Sequence, residues 1–217
     1  NGVDLERFDR ATGGGVAVRD AVRREFGIPL DAPVAASIGR LEPEKGHPTL
    51  IEAWPLVHHL HPDARLLIAG EGSERDRLEG LAAAHLREEL CCASVSFLGR
   101  REDVPQLLAA ADVVVMPSYR EAQGLAIVEA LAAERAVVAS NVGGLATLVR
   151  DDVTGVLMSS RDPREWARAV RRVLVPETAM RMATAAADSA RPYTWHAAAR
   201  AIDVIATQLC ESQLVSC

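Results

Sequence analysis

Aromatic residues are scarce: three Phe, two Tyr and three Trp make up 4% of the 217 residues. Ala, Leu and Val must therefore build the core. Cysteine is also rare. Cys91, Cys92, Cys210 and Cys217 contain no CxxC or Cys/His spacing for zinc, and the adjacent pair cannot readily bridge itself. They read as free thiols in a reducing compartment. No apolar run reaches the roughly 18 residues of a membrane span, and no signal peptide opens the sequence. The expected location is cytoplasmic, with an interfacial membrane contact left open. Basic excess is missing too. A formal net charge of −6 counts against a nucleic-acid partner, whose phosphates call for Lys and Arg. It does not exclude a small anion, because one local group of cations suffices for a diphosphate. No Gly-x-Gly-x-x-Gly follows the first strand, which weakens a nicotinamide or flavin reading. There is no Walker lysine loop and no Gly-x-Ser-x-Gly elbow, so a serine hydrolase is unsupported. Internal repeats and low-complexity tracts are absent as well.

What is present is an ordinary globular balance, 49% apolar and 25% charged, with acids and bases interspersed as on a solvated surface. Short apolar runs recur, each closed by Gly, Pro or Ser and each followed by a helical pattern. Val34–Ile38, Leu66–Ala69, Val95–Leu98, Val113–Met116, Ala136–Ser140 and Gly155–Met158 read as strands. Helices are expected over Val18–Phe26, from Pro48 onward, after Ser73 as a cap, after Asp103 as a cap, from about Gly124 to Ala133, and from Gly143-Gly144 to Val149. Pro55 should kink or shorten its helix. From Asp162 onward only helices are expected, the last over about Thr194–Leu209. The opening, with its Gly-rich stretch from Ala11 to Gly15, reads as a linker. Apolar strands alternating with helices define a doubly wound α/β fold with a parallel six-stranded Rossmann-like sheet and C-terminal helices. The expected divisions are a linker and lead-in helix over 1–30, a ligand-binding domain over 31–175 and C-terminal helices over 176–217.

Ligands of such sheets bind beyond the carboxyl ends of the strands, so the turns there carry the chemistry. The first reads Gly39-Arg40-Leu41-Glu42-Pro43-Glu44-Lys45-Gly46-His47. Arg40 can fork onto phosphate oxygens, Lys45 adds a point charge, and Gly39 and Gly46 permit close backbone approach. Taken alone it is equally a surface loop of solvated charges. The second runs from Pro117 through Glu121, Ala122 and Gln123 to Gly124, where a helix starts. Its free N–H groups attract an anion. Glu129 lies about one and a half turns in, embedded in the apolar run Leu125–Leu131, and could accept hydrogen bonds from sugar or ribose hydroxyls; Glu121 could reach a hexose hydroxyl. The plainer alternatives are a helix N-terminal charge for Glu121 and a solvated carboxylate for Glu129. The third turn, Asn141-Val142-Gly143-Gly144, is weak by itself. The histidines form no ligand spacing and read as packing or surface residues, except His47 beside the cation loop.

The ordered set of turns resembles one family. Gly39-Arg40-Leu41 with Glu44-Lys45-Gly46-His47, His61-Pro62-Asp63-Ala64, Leu66 to Gly72, Val95 to Gly99, Ala111-Asp112-Val113, Met116-Pro117-Ser118, the Glu121–Glu129 spacing, Val137 to Gly144 and Thr154-Gly155 are similar to retaining family-four (group 1) glycosyltransferases. Asn1 to Asp4 and Phe8 resemble the segment entering their second domain. The resemblance implies the C-terminal, donor-binding half of a GT-B fold. It implies that Arg40 and Lys45 grip the donor diphosphate and that backbone N–H groups at Leu125 and Ala126 assist, with Gln123 and Gly124 before them. It implies that Glu129 holds the ribose, that Glu121 meets the transferred sugar, and that the base rests near Leu98, Gly99 and Arg100. The donor would be a UDP- or GDP-sugar, transferred with retention, without metal, to a sugar, lipid or glycan acceptor held by an N-terminal acceptor domain or a partner chain. A non-catalytic nucleotide-sugar module, a split-enzyme subunit, and a related epimerase or phosphorylase are the competing readings. Ala122, Glu134-Arg135-Ala136, Thr147 and Pro55 depart from the family pattern. The last helix, with Trp195, Ala199, Ile202 and Ile205, should pack on its own domain, another chain or a symmetry mate.

Overall fold

The computed structural model describes residues 2–12, 15–87 and 94–214. Cys91, Cys92 and Cys217 lie outside the described residues, as does the side chain of Cys210. Six strands, β1 (Val34–Ile38), β2 (Arg65–Ala69), β3 (Val95–Gly99), β4 (Val113–Met116), β5 (Ala136–Ser140) and β6 (Gly155–Met158), form one sheet in the order β3-β2-β1-β4-β5-β6. Every pairing is parallel. The strand order reverses between β1 and β4. There the two connections leave in opposite directions and a crevice opens.

The strands are apolar on both faces because both are covered. On one face Leu66, Ile68, Val113, Val115 and Val138 pack with Leu50, Trp54 and Val57 of α3 (His47–His58), Leu78 of α4 (Arg75–Arg87) and Trp166 and Val170 of α8 (Pro163–Leu174). On the other, Val114, Val137 and Ala139 meet Leu108 of α5 (Val104–Ala110), Ile127 and Leu131 of α6 (Leu125–Ala132) and Leu145 of α7 (Gly143–Leu148). Val34, Ala36 and Leu67 meet Val22 of α2 (Gly15–Glu25) and Leu107. With few aromatics available, the two fully buried tryptophans are anchored at their polar ends: Trp54 Nε1 donates to Ser94 Oγ at 2.9 Å and Trp166 Nε1 to the Ser160 carbonyl at 2.9 Å. Each buries its ring without stranding an N–H.

Several local expectations are corrected. The opening segment is not a bare linker: Leu5–Thr12 forms α1, which packs on α5 and α6 with Phe8 only 2% exposed. Val3 donates its N–H to the Tyr193 carbonyl. The helix after Ser73 begins at Arg75, and the Ser73 hydroxyl donates to Glu42 instead of capping it. Asp103 stands at the N-cap of α5 but makes no capping bond, because Arg101 holds its carboxylate. Pro55 does not shorten α3, which continues to His58: burial of Trp54 and Val57 against α8 outweighs the lost hydrogen bond. Glu134, where the family pattern has glycine, adopts φ +55°, a left-handed conformation glycine would reach without strain.

α9 (Pro176–Ala190) closes one face, and α10 (Trp195–Leu214) follows a 3-10 turn at Arg191–Tyr193. The expectation that α10 packs on its own domain fails. Residues 199–208 of this helix are exposed, with Ile202 66% and Ile205 57% accessible. No helix among the described residues is long and apolar enough to cross a membrane.

Candidate functional site

The crevice between β1 and β4 is built by three loops whose backbones interlock. The β1 loop carries Arg40, then a 3-10 turn at Pro43–Lys45. The Glu44 carbonyl accepts the N–H groups of Tyr119 (2.8 Å) and Arg120 (3.4 Å), which joins this loop to the one after β4. Gly46 turns left-handed at φ +66°, and a Cβ there would run into the Pro117 carbonyl. Gly144 N–H donates to the Glu121 carbonyl at 3.1 Å, and a Cβ on Gly143 would strike that same oxygen. The glycine pair after β5 thus serves close approach to the Glu121 loop. Open space stands beside the missing Cβ of Gly39, and Gly70 packs its own missing Cβ against the Gly39 carbonyl.

Arg40, Lys45 and Glu121 line one open cleft of about 500 Å³ with Glu44, Arg120 and Gly143. Lys45 Nζ lies 2.5 Å from Glu121 Oε2, with both side chains largely shielded (17% and 12% exposed). Arg40 pairs with Glu44 at 3.0 Å and is 68% exposed. The guanidinium is thus paired at the solvent-facing rim, while the ammonium is held in a more shielded position. Gly124, left-handed at φ +77°, precedes α6, and no side chain caps that end. The cations stand on the same side of the sheet as this helix mouth, where unpaired N–H groups carry partial positive charge.

Of the remaining candidates, Gln123, Gly124, Leu125 and Ala126 form the entrance to α6 behind Glu121. Glu129 is half-buried on α6 and is not part of the cleft wall; burial pushes its carboxyl up, against the opposing pull of the Arg7 charge. Leu98 and Gly99 end β3, with Leu98 against the core and Arg100 exposed. The Gly99 carbonyl accepts from Gly70 N–H at 2.8 Å, so these residues flank the β1 loop rather than the cleft around Glu121. His47 begins α3, buried at 3% exposure. Burial, and secondarily the charge of Lys45, lowers its pKa to about 4, so it is neutral at pH 7. Tyr119, Glu44 and Arg120 were not singled out from sequence. The Arg40–Glu44 ion pair forms between an irregular stretch and the 3-10 turn, so no helical spacing announced it. Among the described residues, no group of three or more His, Cys, Asp or Glu is placed to hold a metal ion.

A doubly wound α/β domain with a cleft at its switch point, where Arg40 and Lys45 each meet a carboxylate, has the architecture of the ligand-binding doubly wound domains. The sequence model of the family described as "Glycosyl transferases group 1" matches residues 18–189, and the chain belongs to that family. A D-inositol 3-phosphate glycosyltransferase of Salinispora arenicola is 38% identical over 208 residues, covering 89% of this chain and 45% of that protein. Anabaena HepE, solved in complex with UDP and glucose, superposes with a TM-score of 0.80 at 26% identity, over 98% of this chain and 55% of that one. Sucrose-phosphate synthase of Thermosynechococcus elongatus gives 0.81 at 30% identity, over 97% and 52%. These neighbours are GT-B glycosyltransferases, and the match is to their C-terminal domain. The chain spans about half the length of the relatives it matches.

Proposed function

We propose that this chain supplies the nucleotide-sugar site of a retaining glycosyltransferase. Arg40 and Lys45 neutralise the donor diphosphate as it becomes the leaving group, and the N–H groups at Leu125 and Ala126 face the same charge. Glu121 accepts hydrogen bonds from the transferred hexose, Glu129 from the ribose, and the base lies near Leu98, Gly99 and Arg100. The reading takes UDP or GDP as the nucleotide. UDP has the added support that the structural neighbour HepE was solved with it. Transfer proceeds without metal to a sugar, lipid or glycan acceptor. An N-terminal acceptor domain or a partner chain presents that acceptor, and the exposed apolar positions of α10 suit such a contact. The setting is cytoplasmic, as expected from cysteine usage.

One observation carries the reading: Lys45 and Glu121 meet across the switch point inside a cleft large enough for a sugar diphosphate. Titration calorimetry with UDP, GDP and ADP, each free and as a glucose ester, tests it. A saturable site for one nucleotide series, weakened in Arg40→Ala and Lys45→Ala, supports the proposal; absence of binding to all six defeats it. Product stereochemistry by NMR, with the acceptor half supplied and EDTA present, tests retention and metal independence.

A further inference from the structure

On the far side of Tyr119 and Val142 from the donor cleft lies a second cavity of about 100 Å³, at the carboxyl ends of β4, β5 and β6. Tyr119 and Val142 are the only residues the two cavities share. Its lining contains no Asp or Glu, although the chain is net acidic; Arg161 is its one charged residue. The Arg161 guanidinium rests on the Tyr119 ring, 4.6 Å from its centroid, with no ion-pair partner among the described residues. The Tyr119 hydroxyl is tied to Thr49 Oγ1 at 3.1 Å, so the ring that carries the guanidinium is fixed.

Ser118 lines the same cavity. It is 1% exposed, and its buried Oγ has no hydrogen-bond partner among the described residues. A buried hydroxyl left unpaired costs free energy, and such groups are ordinarily satisfied by protein, water or ligand. Opposite it, Ser159 Oγ accepts from Asn141 Nδ2 at 3.3 Å, which leaves the Ser159 proton free to be donated. The cavity thus offers hydroxyl donors and one cation, and nothing that repels negative charge. Its volume suits a group of a few heavy atoms, not a hexose.

We propose that this cavity is a subsite for a small tetrahedral oxyanion, free phosphate or the phosphate of a phosphomonoester, held by Arg161 and Ser118. The site stands whether or not the neighbouring cleft takes a nucleotide sugar. The test is equilibrium dialysis of the full chain against labelled inorganic phosphate, with glycerol 1-phosphate as competitor. Arg161→Ala, on an exposed side chain, should weaken phosphate roughly tenfold or more, while Arg161→Lys keeps most of the affinity. Ser118→Val should also weaken it, with circular dichroism checking the fold. The Arg161-dependent site should persist in Lys45→Ala, which can weaken phosphate only in the neighbouring cleft. Efficient competition by glycerol 1-phosphate assigns the site to phosphomonoesters, and its absence assigns the site to free phosphate. No saturable binding, or binding lost in Lys45→Ala and kept in Arg161→Ala, overturns the proposal.

Discussion

Lys45 and Glu121, 76 residues apart in sequence, meet Nζ to Oε2 at 2.5 Å where the β1 and β4 loops interlock. The ammonium is thereby neutralised by a carboxylate. On the proposed function, a donor diphosphate competes with Glu121 for Lys45.

That competition has a sign. Glu121→Gln should tighten UDP binding several-fold, up to about tenfold, because the ammonium is released. Lys45→Ala should weaken it by about tenfold to a hundredfold. Calorimetry on both variants decides; equal losses in the two would show that the pair acts as one unit toward the nucleotide.

The loop junction depends on Gly46. Gly46→Ala combines a left-handed φ with a clash against the Pro117 carbonyl and should cost about 2 kcal/mol or more. Gly27→Ala, at φ +62° with open space around it, should cost only about 1 kcal/mol. Urea denaturation compares them, and only Gly46→Ala should also impair nucleotide binding.

His47 makes stability depend on pH. Its folded pKa, about 4, lies below the ordinary 6.5, so the native state resists protonation that the unfolded chain accepts. The contribution is complete above about pH 6.5 and is lost as pH falls toward 4, on the order of 3 kcal/mol in all. His47→Leu should flatten the stability profile in that window relative to the parent chain. An unchanged slope would mean that other groups carry it.

At the opposite end of the sheet, Arg23 is fully buried and donates to the carbonyls of Leu30, Ala32 and Ala110 and to the Asp112 carboxylate at 3.0 Å. Asp112 Oδ2 also accepts the Val34 N–H at 2.7 Å. Asp112→Ala leaves the buried guanidinium uncompensated and should cost about 3–5 kcal/mol, with nucleotide affinity intact in the folded fraction.

Glu134→Gly relieves the left-handed backbone at φ +55° and should stabilise by about 1 kcal/mol. Thermal melts measure it. A destabilised variant would show that the exposed Glu134 side chain contributes more than the strain removes.

The strands were legible because short, mostly apolar runs recur, best in the central, fully buried β4 and β5, and Gly or Pro follows or ends β1 to β4. Arg40, Lys45 and Glu121 were legible as chemistry, since their loops follow strands. The caps at Ser73 and Asp103 were misread because nearby side chains, Glu42 and Arg101, claimed them through contacts outside the helices. The helix α1 was missed because Phe8 gains its burial from α5 and α6, far along the chain.

The amino-acid order alone determined the succession of strands and helices, the parallel class of the sheet and the residue types present at the turns beyond its strands' carboxyl ends. These follow from propensity and periodicity over a few neighbouring residues. Tertiary structure alone decided that the Lys45 ammonium meets the Glu121 carboxylate, that Gly143 and Gly144 bed against the Glu121 loop, and that Ser118 and Arg161 share a cavity. The physical reason is that those meetings are set by where strand order reverses and how closely carbonyls and glycines approach, and neither distance is encoded within any one stretch of chain.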